Sequence, residues 1–181
     1  MTRLCLPALS ALSLALVPTL ALAQDSTVAD ALARVPAVAA PVLAHSDAMA
    51  RVTGAMAVCT LAVSDPKAAA TLLQDAGWLA QPAEAGEVIF ADTADAATFA
   101  TMADQGGECS VSTTVSGTAD VMKNFFDTTD ALGWPAFDWA DDSGQGCLTA
   151  TLDAALAVAI TGADGTCPSP DTATITFTAP Q

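Results

Sequence analysis

The sequence predicts an α+β domain: a largely antiparallel sheet with two helices on one face, built from two β-α-β-β repeats and a final strand, preceded by a helical arm. Three observations predict it. A frame of Cys, alternating run, turn, helical run and Gly-Trp is written twice, from Cys59 to Trp78 and from Cys109 to Trp134. Each copy continues into two short alternating runs, and short Gly or Asp turns between such runs favour antiparallel hairpins. The residues before the first copy are Ala-rich and read as helix in pieces.

The chain opens MTRLCLPALSALSLALVPTLALA. Arg3 precedes an apolar run from Leu4 to Leu22, and small residues at Ala21 and Ala23 give the A-x-A spacing of a signal peptidase site. Residues 1–23 are therefore expected to be a signal peptide, with Gln24 the new N-terminus. Pro18 breaks the run near its end, which favours cleavage over an uncleaved anchor. Cys5 stands at the start of the apolar run rather than behind it, so it is not placed to accept a lipid.

Residues 24–57 form the expected helical arm. Ser26 can cap a helix that ends before Pro36, and a second piece runs from Pro41 to about Arg51, with Gly54 following. Residues 58–181 form a single domain, with repeats at 58–108 and 109–166. In the first repeat Cys59–Ser64 alternates as a strand. Asp65 caps the next helix, with Pro66 at its first position and Ala69, Leu72, Leu73 and Ala76 on one face. Gly77 lets the chain turn left-handed, and Trp78 folds back on the last turn. Glu87–Ala91 and Ala97–Ala103 are strands. In the second repeat Cys109–Val115 is the strand and Thr118 the cap. Val121, Met122, Phe125, Phe126 and Leu132 form the buried stripe, and Gly133-Trp134 the stop. Gly146–Leu152 and Ala155–Thr161 follow as strands, and the final strand occupies 172–178.

Four cysteines remain after cleavage, and an even number in an exported chain reads as a disulfide framework. There is no C-x-x-C pair and one His, so zinc spacing is absent. Cys147 begins one hairpin strand and Cys167 follows the end of the other, which antiparallel pairing brings together. Cys109 similarly follows the first hairpin, at the end where Cys59 starts. The expected bonds are Cys59–Cys109 and Cys147–Cys167.

Removing residues 1–23 takes away one base and no acid, leaving four Lys and Arg against twenty Asp and Glu, a net charge of −16. Arg34, Arg51, Lys67 and Lys123 are scattered, so the basic footprint that phosphate backbones or anionic membranes require is missing. No later stretch approaches the ~18 apolar residues of a membrane span, so no membrane insertion is expected after cleavage. A cationic exported protein is the partner that the charge admits.

Catalytic patterns are sparse. His45 has Ser46 and Asp47 beside it, but sequence neighbours on a helix point different ways and do not make a triad. There is no G-x-S-x-G elbow and no phosphate cradle. The segment WPAFDWADDSGQG gathers Trp134, Asp138, Trp139, Asp141 and Asp142, acids between aromatics that suit a ligand-binding loop or a glycosidase-like carboxylate pair. It lacks the alternating ligands and closing Glu of a calcium loop, and GADG at 162–165 reads as a turn, so no metal or cofactor is expected. The reading is a periplasmic or secreted, non-catalytic binding or accessory protein. The alternative is a carboxylate-dependent envelope hydrolase using the Asp138–Asp142 loop.

Overall fold

The computed structural model describes residues 27–141, 148–152 and 155–179. Helices α1 (Val28–Leu43), α2 (Ala48–Ala62) and α3 (Pro66–Asp75) lead into strands β1 (Leu79–Pro82), β2 (Glu87–Ala91), β3 (Thr98–Ala103) and β4 (Glu108–Thr113). Helix α4 (Thr118–Leu132) leads into β5 (Asp138–Asp141), β6 (Leu148–Leu152), β7 (Leu156–Thr161) and β8 (Ala173–Thr178). The fold is the expected α+β class.

All eight strands form one antiparallel sheet, in the order β1-β2-β3-β4-β8-β7-β6-β5. This order makes the repeat visible as a helix followed by a four-strand meander, written once as α3 to β4 and again as α4 to β8. The units meet at β4 and β8, where Glu108 pairs with Thr178 and Thr113 with Ala173. An antiparallel seam is what a two-fold axis normal to the sheet demands, and it leaves both repeat helices on the same face. Alternating residues of the central strands point to that face: Cys109, Val111, Ile175, Phe177, Val158 and Ile160 are buried. Thr101, Ser110, Thr174 and Thr176 on the opposite face remain partly exposed.

The Gly-Trp pairs close both repeat helices identically. Gly77 and Gly133 have φ of 89° and 65°. The N–H of Trp78 donates to Leu73 O, and that of Trp134 to Thr129 O, both at 3.0 Å. The preceding glycines donate to Gln74 O and Asp130 O, completing two Schellman motifs.

Several expectations are corrected. The stretch from Cys59 is not a strand: α2 continues through it to Ala62. There are four helices rather than two on that side of the sheet, with α1 in a second layer, and the expected arm is part of the core. α2 lies between α1 and the sheet, so almost every face of it is buried, from Val52 to Thr60. A helix buried all round has no polar face, and its apolar run imitates an alternating strand. α1 runs through Pro36 and Pro41, both exposed, because Ala31, Val35, Ala39 and Leu43 at four-residue spacing anchor it on α2. Its N-cap is Thr27, in a capping box with Asp30, whereas Ser26 lies outside the described residues. Gly54 does not end α2 but lets α1 approach: a Cβ there would stand 2.8 Å from Leu43 Cγ. Gly117, not Thr118, is the N-cap of α4. Thr118 is buried at the first helical position and accepts from Ser169 N. Phe126 is 37% exposed rather than part of the buried stripe. β1 and β5 are two further strands, at the two edges of the sheet.

Cys59 and Cys109 are bonded, joining α2 to the seam strand β4 across a loop of 50 residues. Cys167 is also disulfide-bonded. Cys147 lies outside the described residues.

Candidate functional site

The segment expected to be an acidic aromatic loop is divided by the fold. Trp134 belongs to the α4 stop and packs on Phe137, with ring centres 6.1 Å apart. Phe137 in turn meets Phe125 edge-on at 5.5 Å, and Phe125 reaches Phe177 at 6.0 Å across the core. Asp138, Trp139 and Asp141 lie on the edge strand β5, and Asp138 is exposed. Asp142 lies outside the described residues. Trp78 and Trp134 share one more feature: each indole Nε1 is buried without a hydrogen-bond partner among the described residues.

His45 sits between α1 and α2, exposed, and its Nδ1 accepts from Asp47 N at 3.0 Å. The Asp47 carboxylate caps α2 by accepting from Ala50 N at 2.9 Å. These neighbours are thus engaged in shaping the helix junction. Asp164 likewise serves its own turn. Its carboxylate accepts from the Thr166 hydroxyl at 2.6 Å and the Thr166 N–H at 3.0 Å, and these bonds hold it below the ordinary aspartate range. Among the described residues no group of three or more His, Cys, Asp or Glu side chains is gathered to hold a metal ion.

Two features were missed by sequence reasoning. The first is a buried ion pair. Arg51 of α2 donates through Nε to Asp92 at the end of β2, at 2.5 Å, with both side chains within 5% of full burial. Its Nη1 donates to His45 O and Ser46 O, at 2.8 and 3.0 Å. Asp95 stands 3.9 Å from Nη2. Sequence offered no signal, because Arg51 and Asp92 are far apart along the chain.

The second is a cleft of about 240 Å³ between α3 and the β2–β3 end of the sheet. Val88, Phe90 and Met102 form its floor, Ala70 is on its wall, and Lys67 and Asp104 stand at its edge. Lys67 and Asp104 are both exposed.

Comparison of the chain with protein-family models, with curated proteins and with solved structures finds no match. Among the described residues no helix is long and apolar enough to cross a membrane.

Proposed function

We propose that this is an exported, non-catalytic binding or accessory protein whose acidic surface faces a cationic protein partner. The distribution of charge carries the reading. Arg51 is buried against Asp92, Arg34 donates to Leu132 O, and Lys123 is paired with Asp127 at 2.7 Å. Among the acids whose exposure is described, all but Asp92 and Asp95 face solvent. The acidic field is therefore barely offset at the surface, and such a field speeds encounter with a basic protein. The test is capture of partners from the native envelope fraction, repeated as salt rises. The screening length shrinks from about 10 Å at 0.1 M to about 3 Å at 1 M. Basic proteins that associate at low salt and are lost at high salt support the reading. Association unchanged by salt rejects the electrostatic version.

The hydrolase alternative rests on Asp138, Asp141 and Asp142. A carboxylate pair must flank one bond, and Asp138 stands exposed on the edge strand β5. Replacing all three by Asn tests it: turnover of an envelope glycan that survives the triple change eliminates this site.

A further inference from the structure

The two repeats differ in the length of their helices, and a cleft lies at the N-terminal end of the shorter one. Aligned on their Gly-Trp pairs, Pro66 of α3 falls opposite Met122 of α4. The first turn of α4, Thr118–Val121, therefore has no counterpart in α3, which is ten residues against fifteen. In the second repeat Val121 is buried in the core. In the first, the N-terminal end of the shorter helix leaves the cleft beside Pro66, Lys67 and Ala70. At about 30 Å³ per water, the volume corresponds to about eight waters, or a ligand of roughly ten non-hydrogen atoms.

The edge of the cleft carries one charge of each sign. Of the four cations after residue 23, Lys67 is the one whose side chain has no hydrogen-bond or ion-pair partner among the described residues. Asp104 stands at the same opening, and its N–H donates to Gly86 O at 2.8 Å, tying it to the β1–β2 turn. That turn contains Ala85 at φ 61°, the one non-glycine residue with positive φ among the described residues. An apolar floor with a cation and an anion above it complements a small molecule with an apolar body and both head charges.

We propose that this cleft binds a zwitterionic amphiphile of the apolar α-amino-acid type. Its carboxylate meets the Lys67 ammonium, its ammonium meets the Asp104 carboxylate, and its side chain lies along Pro66, Ala70 and Val88, above the buried Phe90 and Met102. The surrounding field decides between head groups. A chain of net charge −15 repels a simple fatty carboxylate, whereas a zwitterion carries no net charge to repel. An apolar amine would leave Lys67 facing a second cation. The site does not depend on the cationic-partner reading and survives its failure.

The experiment is titration of the full mature protein with leucine and with phenylalanine, followed by calorimetry and by amide shifts at Val88, Met102 and Asp104. Octanoate and octylamine are the single-charge controls. A ligand of this size is expected to bind with a constant on the order of 0.1–1 mM. Lys67→Gln and Asp104→Asn, both at exposed positions, should each weaken binding about five- to tenfold. Ala70→Trp should fill the cleft and abolish binding, with the melting curve reporting whether that variant is folded. Three results would overturn the proposal: no binding of either amino acid at about 10 mM, equal binding in the two exposed variants, or octanoate binding as tightly as the amino acids.

Discussion

Replacing Arg51 by Met should be among the most damaging single changes in this protein. The guanidinium holds Asp92 and two carbonyls of the α1–α2 junction, and both charged side chains are at least 95% buried. Without it, Asp92 keeps the bond from Ala94 N at 2.9 Å and loses its counter-charge. Breaking a buried pair from one side costs about 3–5 kcal/mol. Unfolding entropy of about 2.1 cal/mol/K per residue gives about 0.3 kcal/mol/K for a chain of this length, so Tm should fall by about 10–15 °C. The double change Arg51→Met with Asp92→Leu removes both charges and should recover most of the loss, since apolar replacement of a buried pair is often neutral. Calorimetry on the wild type, two single variants and the double variant closes the cycle. A fall under about 3 °C for Arg51→Met, or a double variant no better than the single, would refute the reasoning.

Four further outcomes are expected. Gly54→Ala gains about 1 kcal/mol of helix propensity but drives a methyl against Leu43, an overpacking cost of about 1–3 kcal/mol, so denaturant melts should show a net loss. Cys59 and Cys109 are fully buried whereas Cys167 is partly exposed. Mild reduction without denaturant, read by alkylation and peptide mass, should thus open the Cys167 bond first and yield Cys147 as its partner. Replacing both Cys59 and Cys109 by Ala should cost about 4 kcal/mol from the 50-residue loop. Thr166→Val should raise the titration midpoint of the Asp164 carboxyl, read by carbon NMR. Because that midpoint is depressed in the folded protein, its contribution is present above the unfolded value and is lost as pH falls through the folded one.

What could be read from sequence was what depends on near neighbours. Asp65-Pro66 and the two Gly-Trp stops declare helix ends through local backbone demands, and EVIFA declares a strand by its own alternation. The Cys59–Cys109 bond was reached by a strand argument, yet Cys59 is helical, so the pairing stands for a different reason: α2 lies over β4. The α2 helix was illegible because burial on all sides erases periodicity. Pro36 and Pro41 were read as breaks, but contact with α2 outweighs the local penalty of two exposed prolines. The acidic aromatic segment looked like one site because its residues adjoin in sequence; the fold sends Trp134 to the core and Asp138 to an edge. The cleft was hidden because it arises from the difference in length between two helices, and only the paired repeats expose that difference.

The seam between β4 and β8 also orders events in time. Within each unit, β1 to β4 or β5 to β8, neighbouring strands are consecutive in the chain, so each meander can zip from its own turns. The seam joins residues 60 to 70 apart, from Thr113–Ala173 to Glu108–Thr178. Closing it must await both halves, and contacts of such separation dominate the folding barrier. Val111 and Ile175, paired across it, should then slow folding when truncated, whereas Ala100 in the first meander should alter chiefly unfolding. The protein is, in kinetic terms, two half-molecules awaiting one docking step.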